Sequence, residues 1–225
     1  MGERIKLKTA DGTTINGYKA SPAGKPKGGV VLLQEVWGLN RWIRSEVDRY
    51  AAEGYLCVAP AMMDRMEMGF ESENYGQDHF VKVGELMKKF DPTKAQLDIE
   101  AAAKEASAGG KVGITGYCFG GSWSWRTAHF GLGVSAASGY YGGGVPSYID
   151  MAPKMPLEMH YGEKDTGIPL EQIEQLRQRY PDLPIYVYPG AVHGFCNADR
   201  ADHYNAAAAK QANARTLAFF AKHLA

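Results

Sequence analysis

The spacing of apolar and polar positions changes period along the chain, and each change marks an element. Near the start, Arg4–Ala10 and Thr13–Ala20 alternate, with Asp11-Gly12 between them, which predicts an antiparallel hairpin. Ser21–Gly28 is a Pro/Gly/Lys loop. Gly29–Val36 then reads as a continuous apolar run, the pattern of a strand covered on both faces. Helical spacing follows over about Asn40–Glu53, His79–Lys89, Pro92–Ala108, Phe119–Phe130, Pro169–Tyr180 and Tyr204–His223. Strands are predicted at Tyr55–Ala61, Lys111–Tyr117, Val134–Tyr141, Leu157–Tyr161 and Ile185–Tyr188. Met62–Asp78 is irregular and carries Met62, Met63, Met66 and Met68, which are expected to serve loop packing. Strand and helix alternate, so the expectation is an α/β fold: a mostly parallel central sheet, helices on both faces, and the hairpin as an antiparallel edge. No repeat or composition break divides the chain, and one domain over 1–225 is expected.

Composition narrows the function classes. Of 225 residues, 45% are hydrophobic and 22% charged, ordinary values for a folded domain. Lys+Arg and Asp+Glu are both 25, and this balance offers nothing to nucleic acid or an anionic membrane. No apolar stretch approaches the ~18 residues of a spanning helix. The opening MGERIKLKTADG lacks the apolar core of a secretory signal, and Lys6 stands where a myristoylation site has Ser or Thr. Cys57, Cys118 and Cys196 are scattered and odd in number, which fits a reducing compartment, hence a cytoplasmic location. A monomer or small homo-oligomer is expected.

The chemistry concentrates in Gly113-Ile-Thr-Gly116-Tyr-Cys118-Phe-Gly120-Gly121, which joins a predicted strand to a predicted helix. Gly116-x-Cys118-x-Gly120 has the form of a nucleophile elbow with Cys in place of Ser. The glycines leave room where a Cβ two residues from the nucleophile would clash, and the helix N-terminus favours an anion such as a thiolate. The competing interpretation is a Gly-rich turn around a buried Cys. A nucleophile needs a base, and the base an orienting acid. Elbow folds place them in chain order nucleophile, acid, His. Gly162-Glu163-Lys164-Asp165 and Gly190–Phe195 both follow predicted strands. Asp165 is favoured over Glu163 because it lies further past the strand end. His193 is favoured because His79, His129, His203 and His223 fall in helical stretches and His160 within a strand.

With these pieces in place the sequence resembles the dienelactone hydrolase family of α/β-hydrolases over nearly its whole length. The resemblance is carried by Gln34-Glu35-Val36-Trp37-Gly38-Leu39-Asn40, Gly54-Tyr55, Ala59-Pro60, Lys111–Gly121, Tyr140-Tyr141-Gly142, Gly162–Asp165 and His193-Gly194-Phe195. It implies an α/β-hydrolase fold and a hydrolase of small esters or lactones. Cys118 is implied as nucleophile, His193 as base and Asp165 as its orienter. Glu35 matches a glutamate that helps to form the thiolate, against the plainer role of a carboxylate at a helix N-terminus. The oxyanion donors would be the Val36 and Phe119 N–H groups.

The chain also departs from that pattern. Family members acting on dienelactone hold its carboxylate with two arginines. Asn197 occupies one of those positions, and no Arg lies between Met66 and Trp125 to supply the other. Arg200 and Arg65 are the nearby arginines that would compensate, and the expected substrate-contacting set is Trp37, Tyr140, Tyr141, Asn197 and Arg200. Trp37, Trp123 and Trp125 flank the proposed site as candidates to shape an apolar pocket, with core packing the competing role for Trp123 and Trp125. No metal or cofactor is implied: His160 and His193 lack zinc-ligand spacing, and Gly131-x-Gly133-x-x-Ala136 precedes a strand instead of following one. The expected partner is a small ester or lactone. The alternatives are a general carboxylesterase or thioesterase acting on neutral substrates, and a non-catalytic small-ligand-binding or redox-responsive thiol relative.

Overall fold

The computed structural model describes residues 2–225 and divides into two compact units, Met1–Val112 and Gly113–Ala225. In the first unit, strands β1 (Glu3–Lys8) and β2 (Thr14–Ala20) form the expected hairpin, in register from Glu3 opposite Lys19 to Lys8 opposite Thr14. Strands β3 (Gly29–Leu33) and β4 (Leu56–Pro60) run parallel, and β2 pairs antiparallel with β4, giving the order β1-β2-β4-β3. All residues of β3 and β4 are buried, as the apolar pattern predicts.

The strand expected over Gly29–Val36 ends early, at Leu33. Beyond it the chain turns toward Gly38, which has φ +80° and bridges Glu71, so Gln34–Val36 leave the ladder. Helix α1 (Arg41–Ala52) starts where Asn40 accepts a hydrogen bond from the Ile43 N–H. Helix α2 is Gln77–Met87. Helix α3 (Pro92–Ala106) starts with an Asp91 cap and Pro92 in its first turn. Its buried face is largely alanine. A Cβ at Gly29 would stand 2.2 Å from the Ala106 oxygen, so the glycine permits this close helix–strand approach.

The second unit is a parallel array in the order β5 (Val112–Tyr117), β6 (Ala136–Tyr140), β7 (Leu157–Gly162), β8 (Ile185–Tyr188). Helices α4 (Phe119–Phe130), α5 (Leu170–Arg179) and α6 (Ala206–His223) connect or follow the strands. Successive strand residues point to opposite faces. Gly139 faces α4, where its Cβ would meet the Gly121 oxygen at 2.9 Å, while Ser138 and Tyr140 bond Thr216 of α6. Helices therefore cover both faces of this array.

Helix α6 begins at Ala206, capped by the Asn205 side chain, which accepts from the Ala208 N–H. His203, expected in the helical stretch, lies instead in the turn before it. No helix among the described residues is long and apolar enough to cross a membrane.

Candidate active site

Cys118 occupies the junction of β5 and α4 with φ 54° and ψ −108°. A positive φ is uncommon outside glycine and stores strain. The surroundings hold the residue there: its N–H donates to the Tyr140 oxygen at 2.9 Å and its oxygen accepts from the Ser122 N–H at 3.0 Å. The neighbouring glycines are sterically required. A Cβ at Gly116 would lie 2.3 Å from the Gly120 oxygen, and one at Gly121 would lie 2.1 Å from the Tyr140 oxygen. Cys118 is partly exposed, whereas Cys57 and Cys196 are buried. Burial pushes the Cys57 thiol up, away from reactivity.

The loops after β7 and β8 are tied together by the Glu163 N–H to the Tyr188 oxygen at 3.0 Å and the Lys164 N–H to the Ala191 oxygen at 2.8 Å. The Gly190 N–H donates to Glu163 Oε2 at 2.8 Å, so Glu163 is engaged in holding backbone. This tie leaves Asp165 facing the second loop. Its Oδ2 lies 2.8 Å from His193 Nδ1, and its Oδ1 accepts from the Gly167 N–H at 2.9 Å. The Asp165 side chain is fully buried and the His193 ring is 31% exposed.

His193 also has the Cys118 side chain as a hydrogen-bond partner. Burial of the ring works against its charge, but Cys118 and the bond to Asp165 favour it more strongly. The balance pushes the imidazole up to about 10. A sulfur on one side and a carboxylate on the other thus favour the charged form of this ring. Cys118, His193 and Asp165, chosen from sequence, are therefore brought together within the second unit. Phe119 is the first residue of α4, and a helix supplies no acceptor of its own for that N–H.

The other sequence-chosen residues fall in varied places. Tyr141 (φ 38°) packs its ring 5.1 Å from that of His193. Tyr140 is wholly buried, with its hydroxyl 2.7 Å from Thr216 Oγ1 and its ring stacked on His160. Asn197 is also wholly buried and accepts from the Asp199 N–H at 3.0 Å. Arg200 donates to His203 Nε2 at 2.7 Å. Trp123 and Trp125 lie in the core, the latter donating to the Met151 oxygen.

In the first unit, Glu35 is 2% exposed just past the carboxyl end of β3, and its backbone oxygen accepts from Gln34 Nε2 at 3.2 Å. Val36 and Trp37 pack in an apolar cluster with Met63, Phe70, Val83 and Leu86; Trp37 also meets the Tyr75 ring edge-on. Met62 and Met63 are buried, and Met68 is exposed. Arg65 is committed to structure: it pairs with Asp98 at 2.8 Å and Asp11 at 2.8 Å, and its own side chain is 9% exposed. Burial pushes Asp98 up to about 6 even against the Arg65 charge.

His203 was missed by sequence reasoning. Its Nδ1 lies 2.6 Å from the His193 carbonyl oxygen. Its place ten residues beyond His193, before a capping Asn, was the available signal. Among the described residues no cluster of three His, Cys, Asp or Glu suits a metal ion.

Comparison with known proteins bears on this geometry. A family model described as the dienelactone hydrolase family matches residues 15–224. The chain is 31% identical over 230 residues to a carboxymethylenebutenolidase of Pseudomonas putida, covering 98% of this chain and 97% of that one. An equal match is found to the carboxymethylenebutenolidase of Pseudomonas knackmussii. Among solved structures, a Klebsiella pneumoniae chain assigned to the dienelactone hydrolases aligns with TM-score 0.83 at 26% identity, over 99% of this chain and all of that one.

Proposed function

This chain belongs to the dienelactone hydrolase family of ester- and lactone-cleaving α/β-hydrolases, and on that premise we propose that it works through a Cys118–His193–Asp165 triad. The observation that carries the reading is the 2.8 Å contact of His193 with Asp165, on a ring whose other partner is the Cys118 side chain. The family match over residues 15–224 supports treating 1–225 as one functional domain.

In this reading the Cys118 thiolate attacks the carbonyl carbon of a small ester or lactone. The carbonyl π pair moves to oxygen, and the resulting oxyanion accepts from the Phe119 and Val36 N–H groups. Collapse expels the alkoxide, which takes the proton of the His193 imidazolium and leaves an acyl-thioester on Cys118. Water then gives a proton to neutral His193 and attacks the thioester. The carboxylic acid departs, and the thiolate–imidazolium pair is restored. Asp165 holds the His193 ring and stabilises its charge throughout. For Glu35 and Val36, the family resemblance is the support. Glu35 has the burial expected of a functional carboxylate rather than a solvated one.

The substrate side favours a neutral ester over a carboxylate-bearing lactone. Arg65 is ion-paired, Arg200 bonds a histidine ring, and Asn197 bonds backbone. A guanidinium fork on a substrate carboxylate contributes roughly 1.5–3 kcal/mol. A matched pair, a carboxylate-bearing lactone and its methyl ester, tests the preference. The expected result is an acid-to-ester ratio in kcat/KM near one or below. A strong preference for the acid, lost in Arg200→Ala, overturns it.

Iodoacetamide labelling read against esterase activity tests the triad. Activity should disappear as Cys118 is alkylated, and Cys57→Ala and Cys196→Ala should remain active. Full activity in Cys118→Ala overturns the reading. Labelling of Cys118 with no turnover on any ester panel would favour a ligand-binding or redox-responsive thiol protein.

A further inference from the structure

The segment after His193 is a compact loop built from consecutive turns. The Asn197 N–H donates to the Gly194 oxygen at 2.9 Å, the Arg200 N–H to the Asn197 oxygen at 3.1 Å, and the His203 N–H to the Arg200 oxygen at 2.9 Å. The Asn205 N–H then returns to the Phe195 oxygen at 3.0 Å, so the loop closes on itself just before α6. One pair of side chains crosses its interior. His203 Nδ1 meets the His193 carbonyl oxygen at 2.6 Å, and Arg200 Nη2 meets His203 Nε2 at 2.7 Å.

The chemistry of the two neighbours orients the ring. A backbone oxygen only accepts and a guanidinium only donates. Between them, the imidazole carries its proton on Nδ1 and offers a lone pair at Nε2. Asp202 Oδ2 stands 3.3 Å from the same Nε2. Arg200 and Asp202 both face Nε2 and leave the Nδ1–H bond to His193 untouched.

We propose that His203, held by Arg200, is the positioning residue for the catalytic base. His193 is then fixed at two points, its ring by Asp165 and its backbone carbonyl by His203. The backbone anchor sets how far the imidazole reaches toward Cys118. Arg200 acts on the reaction through this ring, not on a substrate carboxylate. The inference rests on the triad reading above and adds a residue to it.

The test is a four-member series, His203→Phe, His203→Asn, His203→Gln and Arg200→Ala, assayed on a small neutral ester for kcat and KM. The rate of Cys118 alkylation by iodoacetamide and the melting temperature are measured in parallel. Misplacing a catalytic group by an ångström costs up to about 100-fold. His203→Phe should therefore lower kcat by about tenfold or more, with KM little changed. Asparagine puts an N–H where Nδ1 stands, so His203→Asn should recover most of the kcat. Glutamine reaches the Nε2 position instead, so His203→Gln should not. Arg200→Ala should lower kcat less than His203→Phe and leave the acid-to-neutral ester ratio unaltered.

Equal kcat in His203→Phe and wild type overturns the proposal. So does loss in the Asn and Gln variants alike, tracking melting temperature, because that is the mark of a merely structural role. If wild type turns over no ester, it is the triad reading that fails. Cys118 alkylation then decides the anchor by itself, with slowing in His203→Phe and rescue in His203→Asn supporting it and identical rates overturning it. If His203→Phe does not fold, the Asn and Gln pair carries the same decision.

Discussion

Two histidine–carboxylate pairs lie in the second unit, and they have opposite characters. In one, His160 Nε2 stands 3.1 Å from Glu158 Oε1, with side-chain exposures of 0% and 2%. In the other, His193 Nδ1 stands 2.8 Å from Asp165 Oδ2, with the ring 31% exposed. The first pair is closed. Glu158 Oε1 also accepts from Ser138 at 3.0 Å and Thr216 at 2.9 Å, and His160 Nδ1 meets the Tyr188 hydroxyl at 2.8 Å. Tyr140 and Tyr186 stack on either side of the His160 ring. Every polar edge of that imidazole faces a protein partner, which suits a packed network that specifies the core. The second pair keeps one ring nitrogen for a sulfur at a strained elbow. Residue type and partner are nearly the same. What separates the two is that the second retains a sulfur partner and an approach from solvent.

The largest expected difference comes from removing each ring. His193→Ala should lower kcat on the order of 10⁴-fold with little change in melting temperature. His160→Ala should behave conversely. It leaves a buried carboxylate short of a donor, at a cost of about 3 kcal/mol, or roughly 6–12 °C in melting temperature, with kcat changed only a few-fold. Calorimetry and steady-state kinetics on both variants decide the contrast, and a comparable kcat loss in the two would erase it.

Next in size is Glu35→Gln. On the catalytic role that the family resemblance implies for Glu35, its neutralisation should lower kcat/KM by about tenfold or more, with an unaltered melting point. A helix-dipole role would cost about 0.3–1 kcal/mol of stability and leave the kinetics alone.

The smallest effect is in pH dependence. Because the His193 imidazole is pushed up to about 10, its imidazolium should persist through neutral pH. The rate should then fall as pH rises through about 10, when the proton needed by the leaving alkoxide is gone. The stability that the raised His193 imidazole contributes is fully present below about 6.5, the ordinary value of imidazole, and is lost over the same rise toward 10. A rate profile over pH 6–11 on wild type and His160→Ala checks this, and both should show the same alkaline limb.

Local signals carried most of the fold. Helix α4 and strand β8 fall where the pattern places them, because a Gly elbow and a short β-branched and aromatic run leave little choice. The turn at Cys118 and the nearness of Asp165 to His193 were legible for the same reason: each stands just past a strand, where the topology of an open sheet brings loops together. Long-range pairings were not legible. Nothing local says that Arg65 meets Asp98, 33 residues on, so its availability to a substrate was open until the ion pair was seen. Glu158 and His160 alternate with apolar residues, a pattern that also describes a strand with one wet face. The covering helix, α6, comes some 50 residues later. His203 was hidden by its closeness to α6, whose start depends on the Asn205 cap and not on periodicity.

The left-handed backbone at Cys118 has a consequence for how this sequence would drift without selection on activity. Glycine adopts such a conformation freely, and a strained non-glycine residue there costs on the order of 1–3 kcal/mol. Cys118→Gly should therefore melt higher than the wild type and, on the proposed triad, be inert. A lineage freed from the need to turn over its substrate would gain from that single replacement. A glycine at the elbow in a chain otherwise like this one would mark a relative that has kept its fold and abandoned its chemistry.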